Sequence, residues 1–189
     1  MFRGFKEATR KSQWSARTSN TALNFRPQPA KSTGMKSKVK PIPDGYSVVS
    51  PYLIIRGAAR ALEFYQQAFG AKERMRLAMP NGQIGHAEIE IGGSVIMMGD
   101  ESPEMNCRSP ETFGGSPVSL HVYVGDVDAV VARAVSHGAK LTRPVENQFY
   151  GDRSGTIEDP FGHTWHIATH IEDVAPEEID RRVKTKFGA

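Results

Sequence analysis

The 189-residue chain has a single cysteine, Cys107, so no internal disulfide can close and nothing ties the fold to an oxidising compartment. Long apolar runs are also missing. The longest, such as Ser94 to Met98 and Tyr52 to Ile55, fall far short of the ~18 residues that cross a bilayer, which leaves no membrane partner to expect. There is no glycine-rich phosphate loop, no Gly-x-Ser-x-Gly turn and no cysteine pair with metal-ligand spacing. Acids are scarce at the front: residues 1–41 hold ten Lys or Arg and one acid, Glu7, for +9, whereas residues 42–189 hold 14 bases and 20 acids, for −6. The formal +3 therefore conceals an acidic body. Without a basic stripe interleaved with aromatics, nucleic acid is not an expected partner.

What is present suits one domain of ordinary size. Residues 1–40 are rich in Ser, Thr, Lys, Arg and Pro without sustained periodicity, and read as a disordered basic tail. A mitochondrial or plastid transit peptide and an upstream start before Met35 are the alternatives to a tail on a cytoplasmic protein. From Ser47 to Ile55 the chain reads as a strand, followed by a helix over Ala58 to Phe69 that Gly70 stops. Strands follow near Glu73 to Ala78, Gly85 to Ile91 and Ser94 to Met98, with turns at Pro80-Asn81-Gly82 and Gly92-Gly93. The order then repeats. Val118 to Val124 is a strand, Val127 to Ser136 a helix capped by Asp126, and Lys140 to Val145, Gly155 to Glu158 and Thr164 to Thr169 are strands. Gly70-Ala71-Lys72 and Gly138-Ala139-Lys140 close the two helices alike. The expected fold class is α+β, with two βαβββ modules (47–100 and 118–170) curving a mixed β-sheet around a cleft, helices outside, within a domain over 41–174. Residues 101–117 link the modules, and residues 175–189 form a charged, partly helical tail. A cleft at the junction of a duplication is a natural ligand site.

Several stretches together resemble a known family. They are Val39 to Tyr46, Pro51 to Ile54, Ala61 to Tyr65, Phe69-Gly70-Ala71, His86 to Ile89, Val118 to Val124, Gln148 to Gly155 and Asp159 to Trp165, the last two being the most specific. From about Val39 to Arg182 the chain resembles the vicinal-oxygen-chelate superfamily, in its glyoxalase/bleomycin-resistance, PhnB-like subgroup. That resemblance implies either of two functions: binding of a small molecule in the sheet cleft by a homodimer, or divalent-metal-dependent lyase, isomerase or dioxygenase chemistry. Enzymes of the superfamily hold a metal with His or Glu from four strands, and the resemblance places Ser50, Met97, His121 and His166 at those positions. His121 and His166 are plausible ligands for a divalent metal ion. Ser50 and Met97 are not, and nothing between Gly45 and Leu62 is Asp, Glu, His or Cys, so no cofactor is certain and Ser50 and Met97 are expected to line the ligand cleft instead.

Each candidate has a plainer alternative. His121 stands in an apolar strand and could be a core histidine. His166 alternates with Trp165 and Ile167, and faces the cleft if those two point to the helices. His86, Glu88 and Glu90 share one strand face, with Glu88 the candidate catalytic carboxylate, although any half-exposed strand alternates so. Phe149, Tyr150 and Arg153 suit a planar ligand and a carboxylate or carbonyl on it, or else a simple turn. Cys107 reads as an incidental loop cysteine. His163 is expected exposed in a turn.

Overall fold

The computed structural model describes residues 39–188; the expectation for residues 1–40 falls, as far as residue 38, outside them. The first module runs β1 (Tyr52–Ile55), α1 (Ala58–Phe69), β2 (Lys72–Ala78), β3 (Ile84–Ile91) and β4 (Ser94–Asp100). Between the modules lie a 3-10 turn, Pro103–Met105, and a one-turn helix α2 (Pro110–Phe113). The second module repeats the order: β5 (Ser119–Tyr123), α3 (Val127–Ser136), β6 (Lys140–Asn147), β7 (Asp152–Glu158) and β8 (Thr164–His170). A final helix α4 covers Pro176–Phe187. Each module is its own four-stranded mixed sheet, ordered β1-β4-β3-β2 and β5-β8-β7-β6, with the outermost first strand parallel to its neighbour. These are the two βαβββ modules that the repeated pattern predicts. β1 is shorter than the expected Ser47 to Ile55, because Pro51 has no N–H to give to a ladder, although its carbonyl accepts from Met97 N at 2.9 Å.

The helix starts show how duplication preserved geometry while changing residues. In the first module Asp100, at the end of β4, accepts from the backbone N–H groups of Gly57 and Ala58 at 2.9 Å each, satisfying donors that α1 leaves open. At the matching end of β8, Thr169 Oγ1 accepts from Val127 N at 2.9 Å and donates to the Val124 carbonyl, while Asp126 caps Ala129 N. Gly70, at φ 66, ends α1 in the left-handed conformation.

The core lies where the helices meet the sheets and each other. Ala61, Leu62, Tyr65 and Ala68 of α1 are fully buried, as are Ile89 and Met98 beneath them and Ile157 and Ile167 in the second module. Each of the leucine, isoleucine and methionine side chains among them contributes about 1.5–3 kcal/mol by leaving water. α1 and α3 pack together, and Arg133 Nε of α3 donates to the Ala68 carbonyl at 2.8 Å. An aromatic cluster bridges the modules: Phe69 and Tyr65 of α1 lie 4.7 and 5.4 Å from Trp165 of β8, centroid to centroid. At its centre is Asp159, buried in the β7–β8 turn. Its carboxylate accepts from Tyr65 Oη at 2.7 Å and from Trp165 Nε1, Phe161 N and His163 N at 2.9 Å each. Burial and this carboxylate push the Tyr65 hydroxyl well above its usual pKa, so it stays a donor.

His163 departs from expectation. It is buried rather than exposed, because the link between the modules folds back over the turn and brings Pro110 against Gly162. Burial lowers its pKa.

Asp159→Ala leaves four buried donors facing nothing, and should lower the unfolding free energy by about 3–5 kcal/mol, against about 1 kcal/mol for Tyr65→Phe. Urea denaturation followed by tryptophan fluorescence measures both; equal, small losses would mean the aromatic cluster holds without the carboxylate.

Candidate functional site

Strand alternation decides which residues can meet. In the first module Leu53, Ile55, Ala87, Ile89 and Met98 point to the helix, leaving Tyr52, His86, Glu88 and Met97 on the opposite face. Pairing across strands puts Met75, Glu88, Met97 and Tyr52 in one row from β2 to β1. In the second module Trp165, Ile167 and Ile157 face the helix, and the matching row is Arg143, Thr156, His166 and His121, from β6 to β5. His166 thus takes the place that Met97 has in the first module, and His121 that of Tyr52. The register sets Tyr52 opposite Met97, and Ser50, which the resemblance places at a superfamily ligand position, precedes the strand by two residues.

On the first face, Ser50, Met97 and Glu88 line one hollow together with Tyr46, which arrives from the segment before β1. Glu88 is nearly buried. It accepts from Tyr46 Oη at 2.5 Å and lies 3.2 Å from His86 Nε2, while His86 Nδ1 is 3.2 Å from Tyr52 Oη. Burial works against the Glu88 charge, but the hydrogen bonds from Tyr46 and His86 outweigh it and hold the carboxyl below its usual pKa. It is a carboxylate at neutral pH with both oxygens engaged. Arg74 stacks over the Tyr46 ring at 4.5 Å and donates to the Gly45 carbonyl, fastening this segment to β2. A second, apolar hollow of about 450 Å³ lies on the same face, lined by Tyr52, Ile54, Met79, Gly85, Gly99 and Met105, among others. Its floor is two glycines: a Cβ on Gly99 would stand 3.0 Å from the Gly85 carbonyl oxygen and 3.1 Å from Tyr52 Oη. Cys107 lines this hollow too.

On the second face, His121, His166 and Tyr150 line a common hollow with Arg143, Ser154 and Thr156. The two imidazole centroids are 6.3 Å apart, and His166 Nδ1 lies 3.0 Å from Thr156 Oγ1. Burial and the charges of His121 and Arg143 lower the His166 pKa. His121 is not a core histidine; it is exposed, and also borders a hollow against Ser47 and Val95 of the first module. At the far end of the face, Asp152 accepts from Tyr123 Oη at 2.9 Å and lies 2.8 Å from His170 Nδ1. Hydrogen bonds with Asp173 and Asp152 raise the His170 pKa.

The Gln148–Arg153 stretch divides. Tyr150 reaches the hollow. Its neighbour Gly151, at φ 101, lies so near the Glu172 carbonyl that no Cβ fits there. Phe149 turns away to pack on Phe187 of α4, and its carbonyl accepts from Arg182 Nη1 at 3.1 Å. Arg153 points to the helix side of β7, where its guanidinium holds Asp128 of α3 through two 2.7 Å bonds. It is not brought to either hollow, because Asp152 and Ser154 take the cleft-facing positions. Arg143, Tyr46 and the glycine floor were missed by sequence reasoning. Arg143 was legible in principle, as the residue opposite Thr156 once both modules are laid over each other.

The profile of the Glyoxalase/Bleomycin resistance protein/Dioxygenase superfamily matches residues 48–167. The chain belongs to this superfamily. A protein of Mycobacterium bovis, described as uncharacterized, is 38% identical over 141 residues, covering 73% of this chain and 93% of its own. Among solved structures, TioX from Micromonospora sp. ML1 superposes with a TM-score of 0.51 at 26% identity, over 66% of this chain and 99% of that one. The product of an Arabidopsis thaliana gene does so with a TM-score of 0.54 at 28% identity, over 65% and 98%. Members of the superfamily often bind a divalent metal. At the two matching positions of the first module stand a thioether, Met97, and a phenol, Tyr52, both poor partners for a divalent ion. At the second stand two imidazoles beside a guanidinium. Among the described residues no group of three His, Cys, Asp or Glu side chains converges as a metal cage would. The residues of one chain do not fit a resident divalent ion.

With its pKa lowered in the fold, His166 should titrate below the ordinary histidine value of about 6.5, and Arg143→Gln should raise its midpoint. This residue's contribution to stability is present above the unfolded-state pKa and diminishes as pH falls below it. Imidazole resonances followed by NMR against pH check both; a midpoint indifferent to the substitution would separate the two residues.

Proposed function

We propose that the protein binds a small organic molecule with a planar apolar part, as a homodimer and without a resident metal. The carrying observation is the apolar hollow over Gly85 and Gly99, walled by thioethers and Tyr52, which has the size and lining of a small-molecule site. Methionines suit such a wall because they reshape around flat ligands. The dimer rests on different grounds. The cleft-side rows of one chain carry unlike chemistry on separate sheets: thioethers, a phenol and a carboxylate on the first, imidazoles, a hydroxyl and a guanidinium on the second. Both outer strands, β1 and β5, keep an unpaired edge within their sheets, and exposed apolar side chains flank them: Val48, Val49, Tyr52, Val118 and Tyr123. A second copy related by a twofold axis covers these edges and sets the first-module face of one chain opposite the second-module face of the other, which encloses the ligand.

The metal-dependent reading keeps one supporting observation, the shared hollow of His121 and His166. It requires stoichiometric metal in purified protein that disappears in His121→Ala.

Light scattering should report twice the 20.8 kDa of one chain at micromolar concentration; a monomer would remove the enclosed site. In a thermal-shift screen, planar aromatic compounds should raise the melting temperature. Met105→Glu, at an exposed wall position, should weaken the best of them roughly tenfold or more with little change in the unliganded melt, since a charge must then be desolvated beside the ligand. Gly99→Val, which fills the floor, should do the same. Undiminished binding in both variants would place the ligand elsewhere.

A further inference from the structure

The row Arg143–Thr156–His166–His121 spans all four strands of the second sheet, and side chains paired across strands share a face. The Arg143 guanidinium makes no ion pair or hydrogen bond with any described residue, whereas Glu88 is engaged by Tyr46 and His86, and Asp152 by Tyr123 and His170. Around the guanidinium the hollow offers further donors, the hydroxyls of Ser154 and Tyr150 and the amide of Gln148, the last also bonded to the Glu146 carbonyl. Glu146 is the one acidic side chain lining it.

We propose that this hollow binds an oxyanion, the carboxylate or phosphoryl group of the ligand, with Arg143 as its charge partner and His166, His121 and Tyr150 as further donors. The inference deepens the binding function proposed above and rests on it for the rest of the ligand. A divalent cation between the two imidazoles would stand against a fixed positive charge that has no counterion of its own, whereas an oxyanion there completes the pairing the guanidinium lacks. An imidazole has at least one N–H to donate in either protonation state, so both histidines can serve an anion. The fork of Arg143 suits two oxygens of one group at once, and a row of single donors running away from it fixes the orientation of that group. The ligand thus has two ends, an anionic one over the second module and a flat apolar one over the first.

The test uses the full-length protein and four probes: benzoate, phenylphosphonate, the uncharged benzamide, and inorganic phosphate, which has no apolar part. Affinities come from calorimetry, and imidazole shifts of His121 and His166 from NMR. Benzoate or phenylphosphonate should bind more tightly than benzamide, and the tighter of the two tells carboxylate from phosphoryl. Arg143→Gln should weaken both anions at least roughly tenfold, leave benzamide unchanged, and leave the melting temperature unchanged, since the side chain is exposed and unpartnered. Phosphate should shift both imidazoles in the wild type and neither in Arg143→Gln. That arm needs no apolar hollow, so it separates failure of this inference from failure of the binding function above. Anion affinity equal in wild type and variant, benzamide binding as tightly as benzoate, or no response to any anion at millimolar concentration would each overturn the proposal.

Discussion

One buried carboxylate holds the two halves of this molecule in register. Asp159 sits in the turn between β7 and β8, yet its shortest hydrogen bond, 2.7 Å, comes from Tyr65 in the helix of the other module. A buried charge of this kind is costly unless its lone pairs are filled, and here two backbone N–H groups, an indole and a phenol fill them. The aromatic rings that carry two of those donors also carry the apolar contact between modules, so polar and apolar packing depend on the same geometry. Each module buries one face of its sheet under one helix. Without the shared cluster, α1 and α3 would have only a narrow stripe to join them. Fixing that joint fixes where both cleft-facing rows point, which is why the chemistry of the faces rests on a residue that lines neither.

Duplication then becomes a comparison within one chain. The two rows occupy matching strand positions but differ at every place: Met75 against Arg143, Glu88 against Thr156, Met97 against His166, Tyr52 against His121. Residues that shape the backbone diverged less in purpose. Asp100 and Thr169 perform the same service at the two helix starts with different side chains. Here one row has become apolar and acidic and the other donor-rich, a division of labour suited to an asymmetric organic ligand.

Much of the fold was legible because it rests on period and punctuation. Gly70 and Gly138 mark the helix ends, alternation marks β3 and β8, and the repetition of both gives the modules. The orientation of His166 followed from Trp165 and Ile167 needing the core. What the sequence hid depends on contacts between distant segments. Nothing local shows that Arg153 would be taken by Asp128 of α3, that Phe149 would serve α4, or that the linker would fold over His163. Tyr46 could be quoted as part of a motif, but its hydrogen bond to Glu88, across 42 positions of chain, could not be read from it.

Segments outside the modules matter to the site more than their irregular sequences suggest. Before β1, Tyr46 braces Glu88, and Arg74 braces Tyr46. After β8, Arg182 of α4 holds Glu172 at 2.7 Å and the Phe149 carbonyl, so the turn that presents Tyr150 is gripped from behind. Both attachments are polar and lie at the edges of the faces, where water competes, and each alone contributes little to stability. Their effect is on position instead. A side chain on a turn explores many orientations unless its backbone is tied down, and the entropy already lost in the free protein is not lost again when a ligand arrives. The tethers therefore act as preorganisation: the modules provide two rows on rigid strands, and the flanking segments convert their loose rims into walls.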